Sequence, residues 1–279
     1  MLKAKIATGK PILVGSVWDP LSALIYQKAG FDALNVGSYP VAGSFGLPDV
    51  GLVTWRDYLE ITRKVTSISK LPIMVDGEQG FGYKNLTAYT FGEFERLGVE
   101  CMRIDDKAGD VKCPYLGTPD VSAVHDTVDK IKAVKRHVQR DDFMIIARSS
   151  AGHRHGFEEM LARLKAYRDA GADMLWVSTW SKQDLDRCKQ AFPDVPLCVS
   201  LTPFGQKEFA GLTVRDAVDM GYQMLFFSST IFFKAVKAAL EAATQLVQTG
   251  DPLQLWPDGY WEEQFLELVE LPKWIERET

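Results

Sequence analysis

The sequence predicts a single (β/α)8 barrel of the TIM type, on three observations. Eight short apolar runs alternate with amphipathic stretches along 279 residues, a length that one such barrel fills. Several helical stretches close on a glycine just ahead of the next strand, at Gly30, Gly98, Gly171 and Gly221, where a left-handed cap ends a helix. No G-x-G-x-x-G follows the first strand, which places a doubly wound open sheet second.

Taken in order, the apolar runs bounded by turn residues place strands at Ile12–Val17, Ala33–Gly37, Pro72–Asp76, Cys101–Asp105, Phe143–Arg148, Met174–Ser178, Leu197–Thr202 and Met224–Phe227. Between them, apolar residues at helical spacing predict helices such as Leu21–Ala29, Trp55–Ser67, Val121–Val138, Phe157–Ala170 and Val214–Met220. Nothing reads as a linker, repeat or low-complexity segment, so residues 1–279 are expected to form one domain. The tail, about 229–279, adds helix. Ser229 to Gln248 is apolar at helical spacing, and Gly259 to Leu271 carries Trp261, Phe265, Leu268 and Val269 before Pro272 breaks the pattern ahead of Trp274 and Ile275. Such a tail needs a surface to cover, on its own barrel or on a neighbouring subunit.

Composition narrows the function classes. A net charge of -5 without a basic stripe argues against nucleic acid as a partner. No apolar run approaches the roughly 18 residues of a membrane span, and Met1-Leu2-Lys3-Ala4-Lys5 lacks a signal-peptide core. Cys101, Cys113, Cys188 and Cys198 form no C-x-x-C pair and fit reduced thiols in a cytoplasmic compartment. With four histidines and no paired Cys/His spacing, a structural zinc site is not expected.

The chain is organised around Ile73-Met74-Val75-Asp76-Gly77-Glu78-Gln79-Gly80-Phe81-Gly82, a buried strand ending in two carboxylates and a glycine-rich turn. Strand alternation predicts Asp76 and Glu78 on one face. Two acids at a buried strand end are costly unless a positive group lies between them, and a hard divalent cation, Mg²⁺ with Mn²⁺ as its substitute, meets that need.

Barrel enzymes carry their chemistry at the carboxyl ends of the strands. The second strand ends in Gly37-Ser38-Tyr39 and a loop, Gly43 to Gly51, whose backbone amides suit a carboxylate or phosphonate, with Asp49 turned towards the metal. The fourth strand alternates so that Arg103 and Asp105 share a face; if it faces inward, Asp105 joins the acids and Arg103 pairs with an acid or an anionic substrate. The fifth ends in Arg148, a fork for carboxylate or phosphoryl oxygens. The sixth presents Trp176 and Ser178 on one face, and the seventh Cys198, Ser200 and Thr202, hydroxyls suited to hydrogen-bonding a substrate. Cys113 lies in the loop Lys112-Cys113-Pro114-Tyr115-Leu116-Gly117, beside a lysine that favours its thiolate and where a mobile acid or base would be carried. His153 and His155 are expected to be solvated loop histidines.

These residues give the chain a resemblance to the isocitrate lyase/phosphoenolpyruvate mutase superfamily over about Lys10 to Gly250. The matching stretches are Gly46-Leu47-Pro48-Asp49-Val50-Gly51, Asp76 to Gly82, Ile104-Asp105-Asp106-Lys107, Lys112-Cys113, Ala147-Arg148-Ser149 and Ala166 to Asp173, in that order. The resemblance implies a (β/α)8 barrel in a homotetramer, a dimer of dimers with a C-terminal helix exchanged between subunits. It implies Mg²⁺ held directly at Asp76, with Asp49, Glu78 and Asp105 acting through waters. It also implies that Arg148 grips the substrate's anionic group, and that Ser38 and Tyr39 bind the carboxylate of a 2-oxo acid or its enolate. In lyases of the family the loop cysteine protonates the carbanion left by C–C cleavage, and Cys113 stands at that position. The activity implied is therefore a Mg²⁺-dependent carbon–carbon lyase acting on a small 2-hydroxy or 2-oxo carboxylate.

Departures set limits on the substrate. Pro114 and Tyr115 follow the cysteine where family lyases read Gly-His; Glu78 replaces an Asp; Arg-Ile-Asp-Asp replaces His-Ile-Glu-Asp; Ser178 replaces a Glu and Ser200 an Asn. These changes argue against isocitrate and methylisocitrate and for another acid, such as a 2-hydroxy acid, a malate derivative or a CoA ester. The rival expectations are P–C bond chemistry, as in a phosphoenolpyruvate mutase or phosphonopyruvate hydrolase, then oxaloacetate decarboxylation, then a barrel that only binds a ligand.

Overall fold

The computed structural model describes residues 1–109, 116, 120–178, 181–202, 212–255 and 262–275. The eight apolar runs form eight strands: β1 (Ile12–Val17), β2 (Ala33–Val36), β3 (Ile73–Asp76), β4 (Cys101–Asp105), β5 (Met144–Arg148), β6 (Met174–Trp176), β7 (Leu197–Ser200) and β8 (Met224–Phe227). They close a barrel in chain order, each strand parallel to the next and β8 pairing back to β1. The expected carboxyl ends of β6 and β7 ran two residues further, yet Val177 and Leu201 still donate backbone bonds to Cys198 and Phe226, so the difference is one of boundary.

Alternation divides the core in two. Inward residues two apart, such as Ile12 and Val14, Met144 and Ile146, or Met224 and Phe226, fill the barrel with Met74, Met174, Cys101 and Cys198. Four methionines in this layer supply unbranched side chains that fill an irregular interior. Leu2, wholly buried on the helix Leu2–Ala7, joins the same cluster, and its backbone N–H bonds Glu100 just ahead of β4. The amino-terminal end of the barrel is thereby stoppered.

Outward residues such as Leu34, Val75, Met102, Ile145 and Leu175 pack beneath the surrounding helices. Three of these helices start with a capping box, at Asp19/Ser22, Thr54/Asp57 and Thr213/Asp216. All four expected closing glycines, Gly30, Gly98, Gly171 and Gly221, have positive φ, at +88°, +86°, +110° and +83°, which lets the chain leave the helix and enter the next strand within a few residues. Neither the helix Leu2–Ala7 nor a second short one was expected. Ser38–Ser44, read from sequence as the start of a turn-rich loop, is helical, and Pro40 is tolerated because it falls in the first turn.

The tail begins as expected. Its helix, Thr230–Thr249, ends at Gly250 in the left-handed conformation. Phe232 is its buried anchor: a Cβ on Gly43 would lie 2.3 Å from the Phe232 ring, which uses that notch. Beyond the first turn Val236, Leu240 and Val247 are 49, 66 and 85 % exposed, an apolar face without a covering surface among the described residues. Pro272 does not simply end the helical pattern. It lies in the first turn of a final helix, Leu271–Ile275, which follows Glu262–Leu268. That last pair folds back, with Glu267 bonded to Lys28 at 2.6 Å and Glu270 near Lys70 at 3.6 Å. Among the described residues no helix is long and apolar enough to cross a membrane.

Candidate active site

The carboxyl rim is set by register. Asp76 on β3 is the partner of Arg103 on β4, Asp105 of Arg148 on β5, and Arg148 of Trp176 on β6. Arg103 and Asp105 alternate with Cys101 and so point into the barrel, as their spacing predicted. Arg103 ion-pairs with Asp76. Arg148 donates from Nε to Asp105 at 2.7 Å and from Nη2 to its other oxygen, the two-pronged fit of a guanidinium to a carboxylate. Both guanidiniums lie over the Trp176 ring, with their central carbons 4.8 and 5.7 Å from its centroid.

Glu78 reaches this group by a route other than strand alternation. β3 stops at Asp76, and Glu78 adopts φ +48° in the turn that follows, with Phe81 at +59°. A left-handed backbone at non-glycine residues persists only where the surroundings enforce it. Two backbone bonds and one to a side chain do so here: Gly77 N–H to Arg103 O at 2.9 Å, Asp105 N–H to Glu78 O at 2.7 Å, and Glu78 N–H to Asp76 Oδ1 at 3.1 Å. Gly77 is required for the approach, since a Cβ there would lie 2.4 Å from Arg103 O. So held, Glu78 accepts from Lys107 Nζ at 2.7 Å and from the Tyr58 hydroxyl at 3.3 Å. Lys107 Nζ is also 3.6 Å from Asp105. Asp49 accepts from Ser38 Oγ at 3.0 Å.

Four carboxylates thus face three cations in a buried cluster, and their proton affinities diverge. Burial favours the neutral acid at Asp76, but Arg103, Arg148 and Lys107 overcome it and hold the carboxyl at about 2. Asp105 is likewise lowered, against its burial, chiefly by Arg148. At Asp49 burial prevails, reinforced by Glu78, and the carboxyl is pushed up to about 7. Lys107 keeps its proton more firmly than a free lysine because Glu78 and Asp105 outweigh its own burial.

Behind the rim, Asp106 accepts from Ser149 Oγ at 2.6 Å, Ser150 N–H at 2.8 Å, Tyr167 OH at 2.9 Å and Arg163 Nη1 at 3.3 Å. Burial nevertheless raises its pKa. This network ties the end of β4 to that of β5 and fixes the point where Lys107 enters a two-residue antiparallel ribbon, Lys107–Ala108 with Asp120–Val121.

A small cleft of about 40 Å³ opens above the cluster, and Ser38, Tyr39, Asp76, Arg103, Arg148 and Ser200 line it. Asp49 and Glu78 face an adjoining pocket beside Tyr58, and Asp105 lies beneath Arg148. Ser178 and Thr202 are not brought to the cleft: Thr202 turns to Thr230, their hydroxyls 3.3 Å apart, and the Ser178 carbonyl packs over Gly152. Cys113 and its neighbours lie outside the described residues, as does the side chain of His153; His155 faces Asp120 at 3.4 Å on the surface. Sequence reasoning gave no site role to Lys107, Tyr58 or Ser228, although Lys107 ends the matching stretch Ile104-Asp105-Asp106-Lys107. Of these Lys107 had a signal, since it continues the alternation of Arg103 and Asp105. Two buried polar atoms of the cleft have no partner, Arg103 Nε and Ser229 Oγ, donors aimed where an acceptor-rich ligand would lie.

The carboxylates suit a hard divalent cation in kind, being oxygen donors from three segments at one rim. Basic side chains engage three of them in this structure, and among the described residues no three His, Cys, Asp or Glu side chains are arranged around a metal position.

A family model described as phosphoenolpyruvate phosphomutase matches residues 2–247. A relative named probable 2-methylisocitrate lyase 2, from Corynebacterium glutamicum, is 30 % identical over 250 residues, 89 % of this chain and 80 % of that one. Among solved structures, a 2,3-dimethylmalate lyase superposes with a TM-score of 0.89 at 27 % identity, covering 99 % of this chain and 92 % of that one. A phosphonopyruvate hydrolase solved with oxalate and Mg²⁺ superposes with a TM-score of 0.88 at 21 % identity over 99 % and 95 %, a likeness of fold.

Proposed function

We propose, from the premise that this chain belongs to the isocitrate lyase/phosphoenolpyruvate mutase superfamily, that it is a Mg²⁺-dependent carbon–carbon lyase. Its substrate is a small 2-hydroxy or 2-oxo carboxylate, cleaved through an enolate. The observation that carries this reading is the pair of guanidiniums, Arg103 and Arg148, held over Trp176 at a rim of buried carboxylates. Few environments stabilise a developing oxyanion as well as fixed cations in a water-poor cleft.

Arg148 is fixed by Asp105 and presents its remaining N–H to the cleft, gripping the substrate's anionic group. Arg103 has its Nε unpaired and free to take a second anionic oxygen. Ser38 and Tyr39 line the side where the 2-oxo acid's carboxylate is received, and Ser200 hydrogen-bonds the substrate opposite. Trp176 closes the floor and excludes water. Asp76, Asp49, Glu78 and Asp105 would hold Mg²⁺, which when bound supplies a Lewis acid that polarises the substrate's oxygen. Cys113, which follows Lys107–Ala108 in sequence, donates the proton that quenches the carbanion left by cleavage. The matched relatives named as lyases support the reaction class, and the phosphonopyruvate hydrolase with Mg²⁺ supports the metal. The exposed face of the Thr230–Thr249 helix supports exchange of that helix between subunits of a homo-oligomeric, cytoplasmic enzyme.

The test is a panel of malates, citramalates, oxaloacetate and phosphonopyruvate incubated with protein and Mg²⁺. Release of pyruvate or glyoxylate is expected, lost on adding EDTA and abolished in Cys113→Ser. Undiminished turnover in Cys113→Ser rules out the loop acid, undiminished turnover in EDTA rules out the metal, and phosphate release from phosphonopyruvate alone assigns P–C chemistry.

A further inference from the structure

Lys107 is the least expected member of the cluster. Its side chain is only 3 % exposed, and its ammonium bridges Glu78 at 2.7 Å and Asp105 at 3.6 Å. Those are two of the carboxylates from which a divalent cation would be held, and the ammonium lies between them. A lysine is a compact point charge on a flexible stem, so it can neutralise such a gap without directional demands. A second cation held by the same oxygens would lie within a few ångströms of it, where like charges in a water-poor site repel strongly.

Resting on the Mg²⁺ reading above, we propose that the Lys107 ammonium and the divalent cation are alternative occupants of the gap between Glu78 and Asp105, so that metal loading expels the ammonium into the cleft. The backbone of Lys107 is fixed, by its ribbon pairing with Val121 and by the Asp106 network beside it. The movement therefore belongs to the four-carbon stem. That stem has somewhere to go, because Lys107 also lines the cleft that holds Arg103 and Arg148. Expelled, it brings a third cation to the substrate side. The protein without metal is thus self-neutralised, and metal binding charges the cleft for an anion, which sets metal before substrate in the order of binding. Lys107 on this account is a positioning residue for the metal and a substrate-side cation once the metal is in place.

The experiment measures Mn²⁺ binding by the loss of its free paramagnetic signal, in the full chain without substrate. Lys107→Met is expected to bind Mn²⁺ at least tenfold more tightly than the unaltered protein, and Lys107→Arg no more tightly. Should Lys107→Met fail to fold, the unaltered protein decides: saturating Mg²⁺ is expected to raise acetylation of Lys107 by acetic anhydride severalfold, read by peptide mass spectrometry. Equal Mn²⁺ affinity of Lys107→Met and the unaltered protein overturns the proposal, as does Lys107 acetylation that Mg²⁺ leaves unchanged or lowers. In both cases the metal reading survives, since Mn²⁺ still binds. Absence of Mn²⁺ binding by any form overturns both.

Discussion

Arg148 and Asp105 answer each other so completely that neither can be removed alone. Arg148→Met leaves buried Asp105 with only Lys107, 3.6 Å away, as counter-charge, a loss of up to about 3–5 kcal/mol, and turnover is expected to fall by about 10²–10³. Arg148→Lys keeps the charge but not the fork, so denaturant melts should place it nearer the unaltered protein while turnover stays low. The two extreme acids of the cluster give opposite pH dependences in metal-free protein. Asp76, held at about 2 against an ordinary 3.8, contributes stability above pH 4 that is lost as pH falls towards 2; the difference corresponds to about 2 kcal/mol. Asp49, raised to about 7, does the reverse, binding a proton in the folded state that the unfolded chain releases, so stability declines as pH climbs from about 4 to about 7. Urea melts across pH 2–8 should show the lower limb flattened in Asp76→Asn and the upper one in Asp49→Asn. A common slope in all three proteins would contradict both assignments.

At the scale of elements, the turn after β3 does what a strand was expected to do. Gly77→Ala is expected to destabilise the protein by roughly 1–3 kcal/mol, the usual cost of overpacking, because its Cβ meets the Arg103 carbonyl and not a yielding side-chain tip. The β3–β4 bond would be lost with it, measurable as faster amide exchange at Gly77 and Asp105 together with weaker Mn²⁺ binding. This turn also marks the limit of sequence reasoning. Strands and most helices were legible because a period of two or of 3.6 is written in the residues themselves. The inward pairing of Arg103 and Asp105 was legible for the same reason. Glu78 was placed on the correct side by the wrong rule, since φ +48° at a glutamate is dictated by neighbours far along the chain. Ser178 and Thr202 were assigned to the cleft by extending strand alternation two residues past the ends of β6 and β7, and a partner after the neighbouring strand, Thr230, turned Thr202 elsewhere. Lys107 stood in the stretch that carries the resemblance, Ile104 to Lys107, but was given no role in the cluster, because only its burial between Glu78 and Asp105 shows one.

Across the whole molecule, the helix Thr230–Thr249 is anchored by Phe232 and then carries its apolar residues out into solvent. Val236→Glu with Leu240→Glu is expected to convert an oligomer into smaller species by light scattering while the barrel melts unchanged, since neither side chain contributes to the core. An unaltered protein that already runs as a monomer would remove the reason for that face.

The packed interior that Leu2 completes has its own kinetic consequence. With side chains from Ile12 to Phe226 filling the barrel, traffic passes only across the carboxyl-end rim, so the two fragments of the proposed cleavage cannot depart by separate exits. Whichever lies nearer the top must go first, and the other waits behind it. Product inhibition should then be competitive for the fragment retained below and noncompetitive for the one released above, a sequence imposed by the filled core and not by affinity.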